Sequence, residues 1–195
     1  MAGLKVGLMG GTFDPPHVGH LILAQLALEQ LGLDKVLFIP AGDPWRKSDR
    51  RVTPSQHRLV MTQLAVGDNS AFEVDDCEIR REGATYTVDT LRYLRDQRPG
   101  DELYLILGED ALADIPTWRD PEMLPELAII AAAPRRGTQM PPLPFDIARV
   151  RRIDMPGIDI SSTELRQRAA RGESLRYFAP DAVVAYIEKN GLYRD

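Results

Sequence analysis

The feature that most constrains this chain is a regular alternation of short apolar runs with segments of helical period. Residues 4–9 read as a buried strand. After a turn rich in Gly and Pro, residues 19–31 place Leu21, Ala24, Leu28 and Leu31 on one helical stripe, and Gly32 stops that helix. Residues 35–39 are the next strand, followed by a polar loop over residues 41–52. Thr53 then stands as an N-cap, with Pro54 at the first helical position, Gln56 as the capping-box partner and an end near Val66. Residues 72–75 and 78–80 are weaker strands, 87–97 a helix broken by Pro99 and Gly100, and 102–107, 127–133 and 150–154 further strands. Helices over residues 161–171 and 179–190 close the chain. Strands alternating with helices call for an α/β fold with a mainly parallel sheet covered on both faces.

Composition narrows the class further. The 195 residues suit a single domain, with no repeat, low-complexity tract or linker. With 27% charged and 44% apolar residues, the chain is neither a disordered acidic tail nor a membrane protein. Its 29 acidic residues against 24 basic ones give a net charge of −5, which excludes the basic surface of a general nucleic-acid binder. One cysteine, Cys77, cannot form an internal disulfide and fits a reducing compartment. The N-terminal residues lack a targeting pattern and no apolar run approaches bilayer length, so the expected location is the cytoplasm.

Ligands in such sheets bind beyond the carboxyl ends of the strands, and four unusual segments fall there: residues 10–20, 41–47, 108–118 and 157–166. The first reads MGGTFDPPHVGHL from Met9 to Leu21. It has neither the dinucleotide fingerprint nor the Lys of a P-loop. Gly10 and Gly11 let the backbone approach a ligand, and His17 and His20 stand at the mouth of a helix whose free N–H groups attract phosphate. Three readings stay open for these histidines. They are phosphate donors, or ordinary surface residues beside a capped helix, or half of a three-His zinc site with His57, the basis of a zinc hydrolase. Pro15 and Pro16 argue against Asp14 and His17 sharing a helical face, and His57 sits within its own helix, where packing is its expected work.

The last segment, IDISSTELRQR, begins with a capping box from Ser161 to Glu164. One turn later it sets the Ser162 hydroxyl and the Arg166 guanidinium on one face. An Arg in the first turn opposes the helix dipole unless an anion is near. The middle segments are less decisive. DPWRKSDRR over residues 43–51 carries four positive charges and reads as a solvated face, apart from Trp45. Asp110 is placed to hold a ribose hydroxyl, and Trp118 offers a flat face to an aromatic ring or packs under its loop. The Pro- and Arg-rich residues 134–144 read as a mobile or functional loop.

GGTFDPPHVGHL and ISSTELR together resemble the two signatures of the HxGH nucleotidyltransferase superfamily, in the form found in bacterial nicotinate-nucleotide adenylyltransferases. The resemblance spans residues 6–193 and implies a Rossmann-like doubly wound sheet with helices on both faces. It implies catalytic phosphate contacts from His17, His20, Lys47 and Arg166. ATP would meet Gly10, Gly11, Thr12, Phe13 and His20, with Ile160, Ser161, Ser162, Thr163 and Arg166 on its other side. The acceptor, nicotinate mononucleotide, would meet Thr12, Thr85, Tyr86, Thr87, Gly108, Asp110, Trp118 and Arg135. The chain departs from the usual pattern in Pro44-Trp45-Arg46-Lys47, where a His is common at the Trp, and in Arg136, where a Pro is usual.

The implied reaction joins nicotinate mononucleotide to ATP, releasing pyrophosphate. The attacking phosphate monoester is largely ionised at neutral pH, so no general base is required. Mg²⁺ would ride on the ATP phosphates and water, with no protein metal site. Nicotinamide mononucleotide or phosphopantetheine are the alternative acceptors, and homo-oligomer formation is left open.

Overall fold

The computed structural model describes residues 3–42, 52–134 and 141–194. Among the described residues six strands form one sheet: β1 (Lys5–Gly11), β2 (Lys35–Pro40), β3 (Phe72–Val74), β4 (Glu102–Gly108), β5 (Ile129–Ala133) and β6 (Val150–Arg152). Their order is β3-β2-β1-β4-β5-β6 and every pairing is parallel. This doubly wound order reverses direction between β1 and β4, so a crevice opens where their carboxyl ends, at Gly11 and Gly108, diverge.

Strand periodicity divides the apolar side chains between two cores. Leu8, Leu37, Leu105 and Ile130 point to one face, where α4 (Thr87–Gln97) adds Val88, Leu91 and Leu94. Phe38, Tyr104, Ile106 and Ala131 point to the other, where α1 (Val18–Leu31) adds Leu23, Ala24 and Ala27. A third cluster joins α2 (Ser55–Val66), α7 (Ser162–Ala170) and α8 (Asp181–Lys189) through Met61, Leu165, Val183 and Ile187. No helix among the described residues is long and apolar enough to cross a membrane.

Three local expectations are corrected. The stripe expected on α1 buries only Ala24 fully; the helix turns its small residues Gly19, Ala24 and Ala27 to the sheet with Leu23. A helix apolar nearly all round does not fix its own buried face, and close approach to the sheet decides it. Residues 78–80 are not a strand but belong to a single helical turn, α3 (Cys77–Arg80), started by the Asp75 carboxylate accepting from the Cys77 N–H at 2.9 Å. Thr53 does not cap α2, whose N-cap is Pro54 without a side-chain bond. The Thr53 backbone is committed elsewhere, its N–H donated to Asp14 Oδ2 at 3.3 Å and its carbonyl accepting from Arg58 Nε at 2.9 Å.

Arg58, on the first turns of α2, is 1% exposed. Its Nη1 donates to the Thr12 carbonyl at 2.9 Å, and its Nη2 donates to the Gly42 carbonyl at 3.0 Å. One guanidinium therefore ties the loop after β1, the loop after β2 and the start of α2. Burial pulls its pKa down, opposed by the charges of Asp14, Tyr193 and Glu78. Asp14 is itself 4% exposed and accepts from the Tyr193 hydroxyl at 2.7 Å, which brings the C-terminal tail into the same knot. Replacing Arg58 with Met would leave three carbonyls and the Asp14 carboxylate unmatched. Urea unfolding of Arg58→Met is expected to show a loss of about 3–5 kcal/mol. Arg58→Lys should recover little of it, because a point charge cannot span the three acceptors.

Candidate active site

The loop from Thr12 to His17 is shaped by small residues at its ends. An added Cβ on Gly11 would meet the Phe13 ring at 3.0 Å, so glycine there allows Phe13 to fold back against the strand end. Phe13 adopts a positive φ of 49° and its ring meets His20 edge-on at 5.1 Å. At Gly19 a Cβ would lie 3.1 Å from His17 Nδ1, so the glycine between the histidines makes room for the first imidazole. The two imidazole rings then stack at 3.7 Å.

Their roles diverge. His20 Nδ1 accepts the His17 backbone N–H at 3.1 Å, which leaves the ring proton on Nε2 as a donor. His17 is 7% exposed, its buried Nδ1 has no hydrogen-bond partner, and desolvation lowers its pKa from 6.5 to about 4. It is a neutral ring at physiological pH. The expected free N–H groups at this helix mouth are largely taken, since Val18 N–H bonds to the Phe178 carbonyl and His20 N–H to the His17 carbonyl. Side chains, rather than the start of α1, carry the donors here.

The start of α7 closes on this loop. Ser161 caps the helix by accepting from Glu164 N–H at 3.2 Å, as expected. Ser162 and Arg166 share one face, and both reach the first loop: Ser162 Oγ donates to the Pro15 carbonyl at 2.8 Å and Arg166 Nη1 donates to the Asp14 carbonyl at 2.7 Å. Arg166 Nη2 donates to Thr163 Oγ1 at 3.2 Å, which leaves the five-donor guanidinium with donors to spare. Ile160, Ser161 and Thr163 lie at the same helix entrance.

A cavity of about 240 Å³ opens beside this cluster, across the sheet crevice. Gly10, Gly11, Thr12, Thr85, Tyr86, Thr87 and Trp118 line it, so most of the expected acceptor contacts converge. Gly108 and Asp110 do not line it; Gly108 caps α5 (Glu109–Asp114) and Asp110 is exposed on its first turn. Asp114, one turn further along the same helix, reaches the cavity instead. Glu78 also lines it, 8% exposed and accepting from Thr90 Oγ1 at 2.7 Å, and burial pushes its carboxyl pKa up. Sequence reading missed Glu78, Asp114 and the Arg58, Asp14 and Tyr193 knot. Asp114 carries a signal, four residues beyond Asp110, whereas the others depend on contacts between distant segments. Lys47, Trp45, Arg46 and the Arg135-Arg136 pair lie outside the described residues.

The three histidines do not assemble a metal site. His57 Nδ1 is 2.9 Å from the Tyr186 hydroxyl, consistent with its expected packing role, and no group of three metal-ligating side chains converges among the described residues. Cys77 is buried and its thiol is raised to about 12, chiefly by burial, so it offers no thiolate.

A model of the cytidylyltransferase-like family matches residues 8–168. A relative from Nocardioides sp. called "Probable nicotinate-nucleotide adenylyltransferase" is 50% identical over 190 residues, covering 95% of this chain and 92% of that protein. One of the same name from Roseiflexus sp. is 48% identical, with both chains covered completely. Among solved structures, a Plasmodium falciparum nicotinic acid mononucleotide adenylyltransferase complexed with NaAD superposes with a TM-score of 0.79 over 97% of both chains. The same protein complexed with APC gives 0.77, and at 20% identity both likenesses are of fold.

The depressed His17 pKa links folding to pH. The unfolded chain binds the extra proton from pH 6.5 downward, whereas the folded chain resists it until about 4. Stability is therefore undiminished by His17 above that window, falls as pH drops through it, and the loss is complete below it. The wild-type unfolding free energy from urea titrations should decline more than that of His17→Gln between pH 6.5 and 4, by about 3 kcal/mol. Parallel curves would show that His17 is not held neutral.

Proposed function

The chain belongs to the cytidylyltransferase-like family, among relatives named as nicotinate-nucleotide adenylyltransferases, and from that premise we propose that it transfers AMP from ATP to nicotinate mononucleotide. The products are nicotinate adenine dinucleotide and pyrophosphate, a step of NAD biosynthesis. The observation that carries this reading is the junction of two half-sites. A phosphate-directed cluster of His20 and Arg166 meets a cavity walled by Trp118 and the Thr85-Tyr86-Thr87 turn, and Gly10 to Thr12 lie between them.

In this reading the acceptor's 5′-phosphate oxygen attacks the α-phosphorus of ATP. A new P–O bond forms as the bond to the bridging oxygen of pyrophosphate breaks, and that oxygen departs with the leaving group. The attacking phosphate is already ionised, so the residues need only align two anions and stabilise developing charge. His20 Nε2–H and the spare Arg166 donors serve the polyphosphate, and neutral His17 backs the His20 ring. Gly10, Gly11 and Thr12 admit the nucleotides close to the backbone, and the Trp118 face receives the pyridine ring. Lys47 and Arg135 are assigned to the phosphates of ATP and of the mononucleotide, respectively, on their motifs alone.

The cluster is made of hydrogen-bond donors, and the Asp14 carboxylate is already engaged by Tyr193 and Thr53. Such a set suits phosphate oxygens, and Mg²⁺ would be held by those oxygens and water, neutralising charge on the polyphosphate. The reading also places the protein in the cytoplasm, with nucleotides rather than nucleic acid as its partners.

Pyrophosphate release should be fastest with nicotinate mononucleotide when it is compared with nicotinamide mononucleotide and phosphopantetheine. His20→Ala should lower kcat by about a hundredfold or more, comparable to losing an oxyanion donor, with the fold intact by circular dichroism. Near-normal turnover in that variant would remove His20 from the reaction.

A further inference from the structure

Three charged side chains line the cavity among the described residues, and two of them are acidic: Glu78 and Asp114. The third is Arg119, which follows Trp118 directly in the chain.

The Arg119 guanidinium carbon lies 4.8 Å from the centre of the Tyr86 ring, on the cavity wall. Its ion pair with Asp89 Oδ2 is long, at 3.8 Å, and half exposed. Asp89 is held more closely by Arg92, at 3.3 Å. An aromatic face and a shared, solvated carboxylate are weak partners for a cation. A planar carboxylate entering the cavity offers the guanidinium a paired, charge-assisted contact that is stronger than either.

We infer that Arg119 is the residue by which this site selects a pyridine carboxylic acid over the corresponding amide, through a paired contact with the ligand's carboxylate. The inference rests on the adenylyl-transfer reading and deepens it. Trp118 and Arg119 both line the cavity, so a carboxylate on a pyridine ring held at Trp118 would share that cavity with the guanidinium. The amide is neutral and cannot take the paired contact. Arg119 therefore favours the acid and gives the amide no comparable gain.

The test is the ratio of kcat/KM for nicotinate over nicotinamide mononucleotide in the wild type, Arg119→Gln and Arg119→Lys. Arg119→Gln should narrow the ratio by about tenfold, the scale of one charge-assisted hydrogen bond. The loss should appear in KM for the acid, while kcat at saturation and KM for ATP hold. Arg119→Lys, with the charge but not the fork, should fall between. The Arg119 side chain is 55% exposed, so the variants are expected to fold, and their unfolding midpoints check this. A ratio that stays constant in Arg119→Gln, or equal losses on both acceptors, would overturn the inference while leaving the adenylyltransferase reading intact. A wild type that releases no pyrophosphate with nicotinate mononucleotide would overturn that reading and the inference with it.

Discussion

A guanidinium removed from water must be given acceptors, and the Arg58 cation obtains them from three chain segments at once. An unmatched buried ion costs several kcal/mol, so the segments that supply its partners are not free to separate. Thr12 belongs to the loop after β1, Gly42 to the loop after β2, and Thr53 to the entrance of α2. Asp14 balances the charge nearby and binds the C-terminal tail through Tyr193. The Asp14 backbone carbonyl, in turn, receives Arg166 from α7. One buried charge thus organises the edge of the sheet at which a phosphate site becomes possible.

Above that knot the side chains are arranged to donate rather than to react. His20 is fixed in one tautomer by a backbone N–H, and His17 is kept neutral beneath it, so two stacked imidazoles avoid mutual charge repulsion. The net charge of −5 coexists with this site because the relevant scale is local: carbonyls and Asp14 absorb the buried cation, and Arg166 keeps donors in reserve at the surface of the loop. On the acceptor side the balance differs: among the described residues, two carboxyl groups and one guanidinium line a mostly apolar cavity with threonines on its wall. The two halves answer different demands, one for phosphate charge and the other for an aromatic ring.

Much of this was legible in the sequence because it is written locally. The helix over residues 87–97 matches its expected bounds, Ser161 caps α7 as its capping box predicts, and Trp118 and the Thr85 to Thr87 turn meet at one cavity. The failures share a cause in contacts that residue type alone does not reveal, some made within a few residues and others across the fold. Thr53 has the residue type of a cap, yet its backbone serves Asp14 and Arg58. Residues 78–80 have apolar content compatible with a strand, but a carboxylate three residues earlier turns the chain into a helix. Arg58 follows His57 with no local signal for burial, and only the fold shows that it is among the most buried side chains.

In this account the site aligns its substrates and lends no nucleophile of its own, although two stacked histidines stand in the loop assigned to the phosphates. The stereochemical course at the α-phosphorus tests this most directly, using ATP made chiral there by an α-phosphorothioate and determining the configuration of the dinucleotide product. Direct in-line attack by the mononucleotide predicts inversion. Retention would mean two successive displacements through an adenylylated side chain, and would contradict the account.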